Sequence, residues 1–185
     1  MISYKLYQSN LIVENHKQFE LECKGAYLAI TSNLDTKNTT WSFRDYNIFC
    51  VTASSIMFYR LYKELNYHIR SYIGDERPLW LQSWLNYDEG DEVERNLQNH
   101  GHLSPHHGYI SISPQETTTI FNNGLEIKNK VGQIYIGPGR ELHNNQDWDH
   151  HVKIDRPYTG TRITIGFDIL QTPNKVSSPS HIPLL

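Results

Sequence analysis

The sequence predicts a mainly β fold, a double-sheet sandwich or barrel supported by an amino-terminal part of helix and strands. Three observations predict it. From Leu79 onward, seven short segments alternate apolar and polar residues at the regular spacing of an all-β domain. Gly, Pro and Asn turns separate them. Before Leu79 a single segment carries an apolar stripe of helical period.

Taken in order, QFELEC (Gln18 to Cys23) alternates with period two and reads as a strand, and AYLAITS (Ala26 to Ser32) is a second candidate strand. NLDTKNTT (Asn33 to Thr40) is a polar turn or loop. The helix follows at about Ala53 to Tyr72, with Thr52 as its cap, and Met57, Leu61, Leu65, Ile69 and Ile73 recur at i+4 on one stripe. The Gly74 to Pro78 region stops it, and a helix of this kind packs on the back of a sheet. LWLQSWLNY then opens the β part. Glu89 to Asn99 is a charged loop, and GYISIS, TTTIF, LEIKN, GQIYIG, HVKID and RITIGFDI follow as strands. The end, QTPNKVSSPSHIPLL, is rich in Pro and Ser and reads as a loosely held tail over 171–185. Residues 1–170 thus form one domain, with 1–78 supporting a β core over 79–170.

A chain of 185 residues buries roughly 70% of its unfolded surface and needs no staples. Its net charge of −3 excludes nucleic-acid affinity resting on bulk positive charge, though not on a local patch. Cys23 and Cys50 are the only cysteines and form no C-x-x-C, which points to a reducing compartment, the cytoplasm. No leader-like segment and no apolar run of membrane-spanning length is present. Among the aromatics, Trp80, Trp84, Trp148 and Tyr87 supply a substrate cleft or, for most of them, core.

Seven of the ten histidines fall between His100 and His151. In NHGHLSPHHGYISI, extended backbone turns His100 and His102 to one side, with α-carbons about 7 Å apart, which suits two imidazoles converging on one metal ion. His106 and His107 precede the next strand and are ambiguous. In WDHHVKID, His150 shares a face with Val152 and Ile154, while His151 shares the polar face with Lys153 and Asp155. His150 is therefore the inward histidine and the better ligand. His143 follows the Gly137-Pro138-Gly139 turn in a polar loop and reads as solvated. In the last long strand, Ile163, Ile165, Phe167 and Ile169 form one face, packing on a second layer or on the helix. Arg162, Thr164, Gly166 and Asp168 form the other. That face is either a floor for an anionic ligand, gripped by the arginine fork with Thr164 beside it, or a solvated outer face.

These residues carry a resemblance. H-x-H, a strand, a Gly-Pro-Gly turn, H-x-V, and R-I-T-I-G-F twelve residues after that histidine together resemble the iron(II)- and 2-oxoglutarate-dependent oxygenase superfamily. With WLNY, H-x-H-x5-G-Y-x-S-I and Ile-Tyr-Ile-Gly-Pro-Gly added, the stretch from Trp84 to Ile169 is more closely similar to uncharacterised members encoded by tailed phages of marine cyanobacteria. The resemblance implies a double-stranded β-helix, a cupin-like jelly roll with iron in its mouth. It implies His100 as proximal and His150 as distal iron ligand, and Arg162 with Thr164 on the far carboxylate of 2-oxoglutarate. It also implies an oxidation, such as hydroxylation, that uses O2 and releases succinate and CO2. For a phage-encoded member the compartment would be the host cytoplasm. Tyr109 and Asn86 are candidates for the pocket wall around the cosubstrate.

In one place the chain departs from the superfamily. The usual motif is His-x-Asp or His-x-Glu, and His102 stands where the carboxylate belongs. Three readings follow: His102 completes a three-histidine site, which is preferred; His102 turns away and leaves a position open; or Asp88, Asp147 or Asp149 completes the site. Neutral imidazoles also accept zinc, nickel and copper. The rival readings are a jelly-roll binding or structural module of viral origin and a three-histidine cupin-type enzyme without 2-oxoglutarate. Substrate identity, whether small molecule or protein, is not legible.

Overall fold

The computed structural model describes residues 3–74, 76–90, 98–143, 146–171 and 180–184. Its elements run β1 (Lys5–Gln8), α1 (Asn10–Glu14), α2 (His16–Asn33), α3 (Ile48–Val51), α4 (Ile56–Ile73), β2 (Leu79–Glu89), β3 (His106–Ser113), β4 (Thr117–Phe121), β5 (Glu126–Lys128), β6 (Gln133–Pro138), α5 (Arg140–His143), β7 (His150–Ile154), β8 (Thr161–Leu170) and β9 (His181–Leu184). An antiparallel six-stranded sheet of order β1-β6-β3-β8-β2-β9 stands opposite a three-stranded sheet of order β5-β4-β7.

Two apolar clusters glue three layers together. The larger lies between the helices and the back of the long sheet. There Phe19, Ile30, Phe58, Leu61, Leu65 and Ile69 meet Leu81, Leu85, Ile110, Ile134, Ile165 and Phe167. The smaller lies between the two sheets and consists of Tyr109, Phe121, Ile127 and Tyr135, with Tyr4, Leu125 and Trp148 at its margin.

Helix α4 is the amphipathic helix of the sequence, started three residues later than expected. Its cap is Ser55, whose Oγ accepts from the backbone N–H of Met57 and of Phe58 at 3.1 Å each. Thr52 instead turns its hydroxyl back onto the Ile48 carbonyl at 2.7 Å and closes α3. Gly74, at φ 76°, ends α4 in the left-handed conformation, where glycine carries no side-chain penalty.

Two expectations are corrected. Gln18 to Cys23 and Ala26 to Ser32 are not strands: both lie in α2. Its buried residues are Phe19, Cys23, Ala26 and Ile30, a 3.6-residue stripe, whereas Leu21, which the period-two reading groups with Phe19 and Cys23, is 66% exposed. The end of the chain is not loose at 180–184, because β9 pairs with the edge of β2 from Leu79↔Leu184 to Gln82↔His181. Pro183 lies within this strand, and an edge strand tolerates proline. Residues 172–179 of that tail, and 91–97 of the charged loop, lie outside the described residues. The amino-terminal part does hold one short strand, β1, a four-residue edge strand paired with β6.

Candidate metal centre

The face of the long sheet turned toward the short one is a grid set by strand register. On β8 it carries Arg162, Thr164, Gly166 and Asp168, opposite Asp88, Asn86, Trp84 and Gln82 of β2. On β3 it carries Ser111, Tyr109 and His107, opposite Thr164, Gly166 and Asp168. Tyr135 and Gly137 of β6 continue the rows beyond Tyr109 and His107. The ions and hydroxyls of the site are thus fixed by β-ladder hydrogen bonds, not by loops alone.

At the Asp168 end three histidines converge. His100 is locked to His150 by two backbone hydrogen bonds, 3.0 and 2.9 Å, in an isolated antiparallel bridge. No strand runs on through 101–105, so the shared side of His100 and His102 comes from this bridge and from the Arg140 N–H held by the His102 carbonyl at 2.8 Å. Gly101 between them has no room for a Cβ, because the ion pair of Arg140 with Asp149 lies against its backbone. Ring centroids are 4.6 Å apart for His100 and His150, 5.3 Å for His100 and His102, and 5.4 Å for His102 and His150. One nitrogen from each ring lies within 4.8 Å of the others, a set that could hold a metal ion.

The hydrogen bonds around the rings decide which nitrogens face inward. His100 Nδ1 meets the Gln98 carbonyl at 2.9 Å, His102 Nδ1 meets Asp168 Oδ1 at 2.7 Å, and His150 Nδ1 is 3.4 Å from the Trp148 carbonyl. Each Nδ1 faces an acceptor, so each carries the proton and leaves the Nε2 lone pair free for a metal. His102 and His150 are buried and His100 is exposed, so the site opens to solvent on one side. Burial, and then the neighbouring imidazoles, hold the pKa of His150 well below the ordinary histidine value, which favours the neutral, ligating form.

The sequence reading missed His107. It is the second residue of β3, buried, with its ring stacked on that of His102 at 4.3 Å and 3°, and 5.3 Å from that of His150. Burial and the surrounding imidazoles depress its pKa strongly, with the Pro138 carbonyl opposing. Strand alternation from Tyr109 would have placed it on the site face; its neighbour His106 turns to the helix side and meets Tyr72 edge-on. His151 is partly exposed on β7, and the side chain of His143 lies outside the described part.

The carboxylates named as substitutes for the missing ligand are elsewhere. Asp149 pairs with Arg140 and Asp88 with Arg162, and no carboxylate joins the histidine set among the described residues. Arg162 and Thr164 lie on the site face and are buried. The Arg162 Nη1 donates to Asp88 Oδ2 at 2.8 Å, and its Nε has no partner. Thr164 accepts at 2.9 Å from Asn86 Nδ2. His102 stacks on Trp84, the residue opposite Gly166, and from Gly166 to Arg162 is about 13 Å of strand. Along this stretch other buried polar atoms lack partners. They are Ser111 Oγ, Tyr135 Oη and Tyr109 Oη, the last near Thr119 yet outside hydrogen-bond geometry. Native interiors seldom leave such groups unpaired, so the row is suited to a polar ligand between the histidines and Arg162.

No protein-family profile matches the chain, and no curated protein matches it. Solved structures do. HygX from Streptomyces hygroscopicus is 11% identical, with a TM-score of 0.58 over 99% of this chain and 94% of that one. The non-heme alpha-ketoglutarate-dependent epimerase SnoN from nogalamycin biosynthesis is 9% identical, with a TM-score of 0.56 over 96% and 88%. The viral collagen prolyl hydroxylase vCPH from Paramecium Bursaria Chlorella virus-1 is 9% identical, with a TM-score of 0.54 over 90% and 88%. The chain has the fold of these three proteins, a mainly β double-stranded β-helix with helices packed on its longer sheet.

Proposed function

We propose that the chain is an iron(II)- and 2-oxoglutarate-dependent oxygenase, with His100, His102 and His150 as the metal ligands. The observation that carries this reading is the common orientation of the three imidazoles, each with Nδ1 tied outward and Nε2 free. The neighbours of like fold add support, since SnoN is alpha-ketoglutarate-dependent and vCPH is a hydroxylase. The donor set fits a divalent first-row metal. The unpartnered polar row running to Arg162 fits a dicarboxylate.

Bound there, iron(II) with 2-oxoglutarate would supply the oxidative chemistry: O2 oxidises the substrate and 2-oxoglutarate leaves as succinate and CO2. The chain's own residues hold and shield. Arg162 keeps one edge of its guanidinium on Asp88 and has the Nε side left for a carboxylate. Thr164 stands on the same face two residues on. Tyr109, Tyr135 and Phe121 wall the interior from water. Trp84 lies over Gly166 and stacks on His102 at 5.8 Å, fixing the plane of that ring.

One observation favours a second reading, a three-histidine enzyme without 2-oxoglutarate: Arg162 already has a carboxylate partner in Asp88. Succinate release with and without iron and 2-oxoglutarate, together with anaerobic calorimetric titration of 2-oxoglutarate into metal-loaded protein, separates the two. Saturable binding and metal-dependent succinate release are expected. Metal binding with no 2-oxoglutarate binding would replace the first reading by the second.

A further inference from the structure

We infer that Asp168 is the positioning carboxylate of the histidine site: the negative charge absent from the H-x-H motif is restored one residue outward, behind His102. The inference rests on the reading of the three histidines as metal ligands, and not on the cosubstrate. Four observations carry it. His102 Nδ1 is 2.7 Å from Asp168 Oδ1. The Ser104 hydroxyl lies 2.9 Å from the same oxygen and 2.8 Å from the His106 carbonyl, its one proton shared between the two acceptors. Both partners are largely enclosed, with side-chain exposures of 7% for His102 and 13% for Asp168. The carboxylate is set by the sheet, since Asp168 sits in register between His107 of β3 and Gln82 of β2.

Geometry gives the carboxylate a definite task. The His102 ring is sandwiched between the Trp84 indole, 5.8 Å and 17°, and the His107 ring, 4.3 Å and 3°. Stacking on both faces fixes the plane of the ring but not its rotation within that plane. The bond from Nδ1–H to Asp168 fixes that rotation, and with it the direction of the Nε2 lone pair. Charge gives it a second task. Three neutral imidazoles leave a divalent ion at 2+, and Asp168 brings the cluster to 1+, the sum that a two-histidine, one-carboxylate site has directly on the metal. A histidine ligand backed by a carboxylate is a more basic ligand. Among the described residues, His102 is the ion-pair partner of Asp168, so no lysine or arginine there draws the charge away.

The test is a double-variant cycle read by cobalt(II) titration, with the visible absorption of the bound ion as signal. In the wild-type background Asp168→Asn keeps an acceptor and removes the charge; it is expected to weaken cobalt(II) by about 10-fold and to alter the bound ion's spectrum. In a His102→Asp background the same substitution is expected to strengthen cobalt(II), because the carboxylate is then on the metal and a second one beside it is surplus. This reversal of sign is what a merely structural aspartate would not give. Circular dichroism confirms folding. If Asp168→Asn alone does not fold, the comparison of His102→Asp with His102→Asp/Asp168→Asn carries the test. Equal losses in both backgrounds, or no loss in the first, would overturn the inference while leaving the metal site in place. No cobalt(II) binding by wild type, or binding unaffected by His100→Ala, would instead overturn the metal site itself.

Discussion

Strand β8 has two faces, and both are buried. Ile163, Ile165, Phe167 and Ile169 point to the helices and join the large apolar cluster. Arg162 and Thr164 point the other way and are as enclosed, at 5% and 2% exposure, while Asp168 is half-buried against His102. The two faces differ in satisfaction, not in depth. Every atom of the first face is content in an apolar layer. On the second, Arg162 Nε has no partner, and neither does Ser111 Oγ on the adjacent β3 or Tyr135 Oη on β6, one strand further along the same face. Burial of polar groups without partners costs stability. One strand therefore divides its labour by residue parity, with the odd positions holding the fold and the even ones forming a site that a ligand would complete.

The largest expected effect breaks the odd face. Phe167 is fully buried, and Phe167→Ala should cost about 3–5 kcal/mol in urea unfolding. A cost within the range of a surface change would show that the helices do not pack there.

Metal binding tests the even face. Removing either bridge partner, as His100→Ala or His150→Ala, should abolish binding of iron(II) or cobalt(II). His151→Ala should leave it intact, because that ring lies on the other side of β7. Loss of metal in His151→Ala with retention in His150→Ala would reverse the facing of β7. His102→Ala should fall between, weakening the ion by one ligand without emptying the site.

A smaller effect is expected where the face narrows to Arg162. Arg162→Lys keeps the positive charge beside Asp88 and so keeps the fold, but loses the planar fork. A charge-assisted bond is worth roughly 1.5–3 kcal/mol, so 2-oxoglutarate should bind about 10-fold more weakly or worse to the metal-loaded variant. Calorimetry under anaerobic conditions reads this. Unchanged affinity would place the far carboxylate on another group.

How much of this was legible in the sequence differs between the two halves of the chain. After Leu79 the period-two pattern located seven strands, and parity grouped the residues of β8 and β7 by face, while the layer that each face of β8 meets stayed open until the sheets and helices were placed. Asp168 was visible on the even face, but its bond to His102 joins residues 66 apart and depends on the register of β3 against β8, which no local pattern encodes. His107 was hidden by its adjacent twin, His106, until the start of β3 fixed which of the two faces inward.

Before Leu79, two periods competed over the same residues, and the shorter one misled. Phe19 and Cys23 fit both a strand face and a helix face. What separates the two patterns is Leu21. A strand face would bury it with Phe19, whereas on α2 it points to solvent at 66% exposure. Leu21→Gln should therefore change stability by no more than about 0.5 kcal/mol, the usual range for an exposed position. Phe19→Ala, two residues away, should cost about 3–5 kcal/mol. Parallel chemical unfolding of the two variants makes the measurement. Equal, large losses would mean that Leu21 is buried with Phe19 and would return the segment to the period-two reading, detaching α2 from the back of the long sheet.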